Sequence, residues 1–202
     1  MKQRLKYDAY STPRNLALAI TERLKAIIAP PDLVIEPSAG VGPFIVAAAK
    51  TWPGVEIHAV DYDKRVERKC RAAGANAFYA MDWLEYVVKF GTSFDDVDNA
   101  LVLGNPPYVL AQEHVEATLA LRANITLLLR INFLGGLKRA KTLWSRPGLS
   151  YVIPIAPRPS FAFGGSDPVE YGVFVWSAAR MRGPATLLPP LIWNNGKHGG
   201  TK

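Results

Sequence analysis

The sequence predicts one α/β domain with a mostly parallel sheet and a reversed final strand. Short apolar runs of strand length alternate with segments of helical periodicity, which is the pattern of βα units. The first run ends in a turn of small residues and glycines, as is usual where a parallel strand meets a helix beside a ligand. The last two runs, 151–154 and 171–176, flank a glycine-rich loop without helical periodicity, which predicts an antiparallel pair.

Length and composition indicate one globular domain and favour an acidic partner. The chain has 202 residues, of which 49% are hydrophobic and 20% charged, and its net charge is +7. That length suits one well-packed core, so we expect a domain over 10–193 between a flexible N-terminus at 1–9 and a disordered tail at 194–202. The positive charge favours nucleic acid among the candidate partners.

Cysteine usage and hydropathy exclude several classes of protein. The single cysteine, Cys70, rules out an internal disulfide and a cysteine-rich metal site, and we interpret it as an incidental thiol. No charged-then-apolar leader opens the chain, and no apolar run reaches membrane-spanning length. We therefore expect a cytoplasmic protein that holds no metal and does not contact a membrane.

Residues 12–28 predict the first helix. Thr12 can cap it, and Pro13 fits its first turn, where the missing N–H is no loss. Apolar residues then recur at helical spacing and give the helix one apolar face. The residues of this face are Leu16, Ala17, Ile20, Leu24, Ile27 and Ile28.

A glycine turn follows the first predicted strand, 33–35. Small residues and glycines over 36–42 let the backbone approach a ligand closely, and Pro43 suits the first position of the helix that follows. Such a turn alone leaves the cofactor open, and a nicotinamide would be the usual choice. Its candidate cofactor-binding residues are Glu36, Pro37, Ser38, Ala39, Gly40 and Gly42.

Acidic residues follow the second and third predicted strands, 55–60 and 76–80. Asp61 can accept both hydroxyl protons of a ribose, although an acid in a surface turn would look the same. Asp82 can cap the helix predicted to follow it. Because the carboxyl ends of parallel strands meet at one edge of the sheet, we expect both acids to line one cleft with the glycine turn.

A Gly-Asn-Pro-Pro-Tyr step, 104–108, ends the predicted fourth strand at 100–103. Neither proline can donate to a sheet ladder, and the first one holds Asn105 extended at the carboxyl end of the strand, where open α/β sheets bind ligands. The step presents the Asn105 amide, the Pro106 carbonyl and the aromatic face of Tyr108, a set that can bind a planar group bearing NH₂. The alternative is a loop in which the prolines merely end a strand.

A basic segment follows the predicted helix at 111–123 and the predicted fifth strand at 125–133. We predict a helix over 137–146 with an outward basic face that includes Lys138 and Arg139. The residues that can face the sheet are Leu137, Ala140, Leu143 and Trp144. Such a face is commonly just solvated, yet it is the best candidate for phosphate contact in the sequence.

The glycine turn and the Asn-Pro-Pro-Tyr step, in this order, resemble the S-adenosylmethionine-dependent methyltransferases that modify the exocyclic amino group of adenine in DNA. The matching residues are Glu-Pro-Ser-Ala-Gly-Val-Gly at 36–42 and Asn-Pro-Pro-Tyr at 105–108, and the likeness extends over about 10–176. The same tetrapeptide, with Asn or Asp first, also occurs in enzymes that methylate RNA adenine or a protein glutamine amide. The resemblance implies a Rossmann-like class I methyltransferase fold: a seven-stranded, mostly parallel sheet with an antiparallel last strand and helices on both faces.

The resemblance also implies how the cofactor, S-adenosylmethionine, would be held before it becomes S-adenosylhomocysteine. Asp82 matches the acid that accepts a hydrogen bond from the adenine amino group, with Trp83 against the ring. Asp61, followed by Tyr62, stands where most members carry a glutamate that binds the ribose. The residues that match an aromatic-x-Thr-Pro segment closing over the methionine end are Tyr10, Thr12 and Pro13.

On the acceptor side, the loop 158–167 resembles the one that stacks an aromatic ring on an extruded base. Phe161 is the better match and Phe163 the alternative, while Arg158 could hold a phosphate. A glycine-rich hairpin whose phenylalanines cover the edge of the core would look similar. No long extra segment suggests a target-recognition domain, as in the small methyltransferases of phages and prophages, so specificity would come from a homodimer or another partner.

The implied chemistry depends on two hydrogen-bond acceptors. An adenine amino nitrogen is a poor nucleophile, and accepting its hydrogens at Asn105 and at the Pro106 carbonyl would stabilise the positive charge that develops during transfer. The catalytic candidates are Asn105, Pro106, Pro107 and Tyr108; Asn105 is also a candidate cofactor-binding residue, and Tyr108 would also stack on the base. The rival hypotheses are the other methyl acceptors, a non-catalytic cofactor-binding protein and, last, a nicotinamide-dependent oxidoreductase.

Overall fold

The computed structural model describes residues 11–91, 99–121, 123–145, 148–161, 168–177 and 184–196. The helices in these ranges are α1 (Arg14–Leu24), α2 (Pro43–Thr51), α3 (Glu67–Ala73), α4 (Trp83–Phe90), α5 (Ala111–Thr118) and α6 (Leu137–Thr142). The strands are β1 (Leu33–Pro37), β2 (Glu56–Asp61), β3 (Ala77–Ala80), β4 (Ala100–Gly104), β5 (Asn124–Arg130), β6 (Leu149–Ala156), β7 (Tyr171–Trp176), β8 (Thr186–Leu187) and β9 (Leu191–Ile192).

The described strands form one sheet in the order β3-β2-β1-β4-β5-β7-β6-β8, and β9 also pairs with β6. Strands β1 to β5 pair in parallel, whereas β7 is antiparallel to both β5 and β6. The predicted mostly parallel sheet and its antiparallel pair are therefore confirmed. The predicted count of seven is wrong, because β8 and β9 add two more strands, both parallel to β6. Each covers only two residues, which is too short to give a period in the sequence.

Alternation along the strands places helices on both faces of the sheet, as predicted. On one face, Val34 and Leu101 pack with Leu16 of α1 and Phe44 of α2. On the other face, Val102 packs with Trp83 of α4. That second face continues towards β5 and β7, where a separate cluster of buried residues includes members of α5. The core is thus split into two layers by the sheet.

Several predicted element boundaries differ from the structure: α1, for example, ends at Leu24 and not at residue 28. The fifth strand ends at Arg130, where its pairing with β7 ends, and a short 3-10 turn, Ile131–Leu134, replaces its predicted last residues. Helix α5 ends at Thr118, five residues before the predicted end at Ala123. Helix α6 is six residues long, and Leu137 is 72% exposed. The prediction that Leu137 and Ala140 face the sheet is therefore wrong, since both are exposed, whereas Leu143 is buried as expected.

The ends of β1 and β4 approach each other closely. A Cβ on Gly104 would lie 3.1 Å from both Cδ and O of Pro37, so glycine is needed at this point. This contact brings the glycine turn after β1 beside the Asn-Pro-Pro-Tyr step after β4. In the described ranges, no helix combines the length and apolar character needed to span a membrane.

Candidate functional site

The glycine turn uses left-handed backbone at three positions. Ser38, Gly40 and Gly42 have φ of 60°, 55° and 74°. A Cβ on Gly42 would lie 3.1 Å from side-chain atoms of Ala73 and Ile45, whereas one on Gly40 would meet nothing within 4 Å. Gly42 therefore packs against the protein, while the surface at Gly40 is open.

Two buried acids hold this turn. Glu36 is 2% exposed and its Oε2 accepts a hydrogen bond of 3.1 Å from the N–H of Ile45 in the first turn of α2. Asp61 accepts 2.8 Å bonds from the N–H groups of Gly40 and Asp63, one to each carboxylate oxygen. Burial raises the pKa of both carboxyl groups, and the charge of Asp61 raises the pKa of Glu36 further.

Cys70 was interpreted as an incidental thiol, but in the structure it lies beneath the glycine turn. Cys70 is fully buried, and its Sγ donates a 3.5 Å hydrogen bond to the carbonyl oxygen of Gly40. Burial, with smaller contributions from Glu36 and Asp61, raises the pKa of the thiol to about 12. The group is therefore an unreactive support for the glycine turn.

Two adjoining cavities open at the carboxyl ends of the strands. The larger one, about 240 Å³, lies beside the glycine turn, and the other, about 190 Å³, lies beside the end of β3. They share Ser38, Asp61, Tyr62 and Pro107 in their walls, so together they form one elongated cleft. The other predicted residues in the wall of the larger cavity are Thr12, Glu36, Ala39, Gly40 and Asn105. Those in the wall of the smaller cavity are Asp82 and Trp83.

Both residues after β3 also have structural contacts. Asp82 Oδ1 accepts a 2.8 Å bond from the N–H of Leu84 and so caps α4, as predicted. Trp83 donates a 3.0 Å hydrogen bond from its indole nitrogen to Thr118 and stacks on Tyr86. Of the remaining predicted cofactor residues, Pro37 and Gly42 shape the turn from outside the two cavity walls. Tyr10 lies outside the described residues.

Asn105 is held by one hydrogen bond and leaves one acceptor unused. Its Nδ2 donates a 3.2 Å bond to the hydroxyl of Thr12, which is 3% exposed. Thr12 makes no side-chain cap on α1, where Pro13 is the N-cap residue, so the predicted capping role is wrong. Asn105 Oδ1 is buried and has no hydrogen-bond partner within the described part of the chain. Such an atom in a cavity wall is a ready acceptor for a ligand N–H.

An aromatic cluster lies next to Asn105. The ring centroid of Tyr108 lies 6.4 Å from that of Phe161 and 5.6 Å from that of Tyr171, and the latter two are 4.8 Å apart. The guanidinium of Arg130 lies over the Tyr108 ring, 4.7 Å from its centroid. Arg130 was not predicted, although it is the single charged residue in the apolar run 125–133. That interruption was the signal for it.

A third cavity, of about 320 Å³, has two arginines in its wall. Arg14 begins α1, and Arg158 is half-exposed, donates to the carbonyl oxygen of Pro168 and lies 3.6 Å from Glu170. Ser160, next to Phe161, also lines this cavity. Its remaining wall residues are Pro13, Asn15, Trp193 and Asn195.

Of the two residues of α6 predicted to contact phosphate, Arg139 instead bonds to the protein itself. The guanidinium of Arg139 donates to the carbonyl oxygens of Phe133 at 2.7 Å and Gly135 at 2.8 Å, and it also lies over the Phe133 ring. Lys138 is exposed, and its phosphate contact stays a prediction. Phe163, the alternative stacking residue, lies outside the described residues. Across those residues, no group of three or more His, Cys, Asp or Glu side chains could hold a metal ion.

The fold is the Rossmann-like α/β fold found in methyltransferases of known structure. A "predicted O-methyltransferase" from Agrobacterium tumefaciens matches 92% of this chain and 91% of its own with a TM-score of 0.63 at 20% identity. A candidate RNA methyltransferase from Pyrococcus horikoshii matches 83% of this chain and 84% of its own with a TM-score of 0.59 at 17% identity. These similarities concern the fold, because the identities are low.

A sequence relative adds a more specific similarity. The Type II methyltransferase M.NspV of Nostoc sp. is 29% identical in an alignment of 120 residues that covers 54% of this chain. This chain spans only 24% of the length of that relative. No protein-family model matches the chain.

Proposed function

We propose that the chain is an S-adenosylmethionine-dependent methyltransferase that methylates the exocyclic N6 amino group of adenine in DNA. The observation that carries this proposal is the buried, unpartnered Oδ1 of Asn105 in the wall of the cleft. It is a fixed hydrogen-bond acceptor beside an aromatic ring, at the edge of the sheet where this fold binds ligands.

The cleft fits the proposed cofactor in shape and charge. Two connected cavities suit an elongated ligand, and the open surface at Gly40 allows close contact with the backbone. Asp82, Asp61 and Glu36 are spaced along the cleft, where they could accept hydrogen bonds from an amino group and from hydroxyl groups. When bound, S-adenosylmethionine supplies a methyl group on a sulfonium, which is an excellent leaving group.

The Asn-Pro-Pro-Tyr step would then orient the acceptor. Asn105 Oδ1 would accept one hydrogen of the amino group, and the Pro106 carbonyl the other. These bonds favour a tetrahedral nitrogen whose lone pair faces the methyl group, and they strengthen as positive charge develops on that nitrogen. Thr12 holds the amide through its bond to Nδ2, and in this orientation Oδ1 is the atom available for this role.

Two further features support a nucleic-acid acceptor. Tyr108 and Phe161, which pack against the buried ring of Tyr171, can stack on an extruded base, and this stacking offsets the energy lost on unstacking it. The cavity next to it carries Arg14 and Arg158, which suit the phosphates of the same strand. The similarity to a Type II methyltransferase favours DNA.

RNA adenine is the second candidate acceptor, because a candidate RNA methyltransferase shares the fold. Incubating the protein with labelled S-adenosylmethionine and separate pools of DNA, RNA and protein tests both. We expect label in DNA, released as N6-methyladenine on digestion. Label in RNA or in protein glutamine would overturn the DNA assignment and keep methyl transfer, whereas no label in any pool would contradict the enzymatic role.

Binding of the positively charged cofactor should release protons. Burial raises the pKa of Glu36, so at a pH near this raised pKa part of the free protein carries a protonated Glu36. A cation in the same cavity favours the carboxylate, so affinity should rise with pH through the folded-state pKa and then level off. Calorimetry in buffers of different ionisation enthalpy should detect release of up to about one proton. Glu36→Gln should lose most of that release, and an unchanged release would assign it to another group.

The arginines of the third cavity should determine the salt dependence of DNA binding. Removing one cation that binds a phosphate should lower the slope of log K against log salt by about 0.9. We therefore expect Arg14→Gln and Arg158→Gln to lower the slope by about this amount while leaving cofactor affinity unchanged. Lys50→Gln, at the end of α2 away from all three cavities, is the matched control and should change nothing. Equal slopes for all variants would exclude the cavity as a phosphate site.

A further inference from the structure

His114 is a buried histidine in the wall of the cavity beside the end of β3. It lies on α5, is 3% exposed and shares this wall with Met81 and Asp82. Nothing in the sequence singles it out, because a lone histidine in a helix has no motif around it. The structure places it close to the acid expected to accept from the amino group of the cofactor's adenine.

Hydrogen bonds fix the helix around His114. Thr118, one turn later, donates from its hydroxyl to the carbonyl oxygen of His114 at 2.6 Å. The same hydroxyl accepts from the indole nitrogen of Trp83 at 3.0 Å, and Trp83 directly follows Asp82. His114 and Asp82 are therefore positioned by one connected set of contacts, which is what precise recognition of a small planar ligand requires.

The state of the imidazole ring follows from its surroundings. Burial lowers the pKa of His114 to about 4, although the charges of Asp82 and Glu113 act in the opposite direction. The ring is therefore neutral at pH 7 and carries one N–H. Nδ1 is buried and has no hydrogen-bond partner among the described residues. Nε2 differs, because it is either accessible or hydrogen-bonded. A buried N–H without an acceptor is rarer than a buried lone pair without a donor, so the proton belongs on Nε2.

We infer that His114 is a specificity-determining residue for adenine: its Nε2–H donates to a ring nitrogen next to the amino group of the bound cofactor. Adenine presents an amino donor flanked by the acceptors N1 and N7. The Asp82 carboxylate would accept from the amino group of adenine, and the His114 N–H would donate to the ring nitrogen next to it. A 6-oxo purine has the opposite pattern at C6 and N1 and would be rejected. This inference rests on the proposed function, because it concerns the same cofactor.

The test is a set of calorimetric titrations with S-adenosylhomocysteine and its 1-deaza and 7-deaza analogues. Each analogue replaces one candidate acceptor nitrogen by C–H. We expect one of the two to bind wild type about three- to tenfold more weakly than S-adenosylhomocysteine, as for the loss of one neutral hydrogen bond. His114→Phe should bind S-adenosylhomocysteine more weakly than wild type does, by a similar factor. It should bind the weaker analogue with the same affinity as it binds S-adenosylhomocysteine. His114→Gln retains an N–H near the position of Nε2 and should keep the discrimination.

The controls separate this inference from the proposed function. His58→Phe makes the same change on β2, where His58 bonds to Glu56, and should leave every affinity unchanged. Thermal unfolding without ligand shows whether the His114 variants fold. If wild type does not bind S-adenosylhomocysteine, the proposed cofactor is wrong. If wild type binds S-adenosylhomocysteine, two results would still overturn the role of His114. Either both analogues bind wild type as tightly as S-adenosylhomocysteine, or His114→Phe lowers the affinity for all three ligands by the same factor.

Discussion

Asn105→Ala should reduce methyl transfer by about a hundredfold to a thousandfold while changing cofactor affinity little. That range is typical for removal of one group that stabilises charge in a transition state. The buried Oδ1 of Asn105 has no other partner in the described structure, so its loss removes an acceptor that only the methyl acceptor would use. Single-turnover methylation measured beside calorimetry with S-adenosylmethionine separates the two effects.

Two companion variants show whether orientation matters as well as the oxygen. Asn105→Asp keeps an oxygen in place of Oδ1 but reverses the contact, because Thr12 must then donate to the carboxylate, and Thr12→Val removes this contact altogether. Thr12 is a positioning residue, and we expect both changes to cost about tenfold in rate through a less well-held amide. Near-normal turnover of Asn105→Ala would refute the proposed mechanism, whatever the other two variants do.

Phe161→Ala should lower acceptor affinity or turnover by about ten- to a hundredfold, because base–aromatic stacking contributes roughly 1–3 kcal/mol per base. Phe161 packs edge to face against Tyr108 and Tyr171, so an entering base would replace one aromatic contact with another. The loss should be smaller when the target adenine is mispaired, since less unstacking must then be offset. Cofactor affinity should stay the same, because Phe161 lines neither cofactor cavity.

The measurement compares matched and mismatched duplexes with wild type and Phe161→Ala. Phe78→Ala, which removes a partly buried phenylalanine from β3, controls for reduced packing and should affect both duplexes equally. Equal activity of wild type and Phe161→Ala on both duplexes would defeat both the stacking role and the DNA assignment. A dependence on pairing that disappears in Phe161→Ala would support both.

Much of the fold was predictable because its signals are local. The apolar runs of β1, β4 and β7 and the punctuation after them define strand positions whatever the rest of the chain does. In the basic helix α6, Leu137 and Ala140 were wrongly predicted to face the sheet, because its six residues are too few to fix a period. The strands β8 and β9 were missed for the same reason of length.

The site was predictable only where one segment carries the whole signal. Asn105 and the glycine turn have such segments, and they lie side by side in the structure. The roles of Thr12, Arg130 and His114 depend on contacts with residues that are distant in sequence or on enclosure by several elements. Nothing in a single sequence encodes those contacts directly. Cys70 is the same case, since its environment exists only once α3 packs under the turn.

The two buried acids beside the glycine turn also affect turnover. Glu36 and Asp61 lie in the wall of a cavity proposed to receive a positively charged ligand, and burial disfavours their charge without one. Transfer of the methyl group leaves a neutral thioether sulfur in place of the sulfonium. The cavity is then better matched to the next donor molecule than to the spent one, so the same two carboxyl groups that support binding would also promote product exchange.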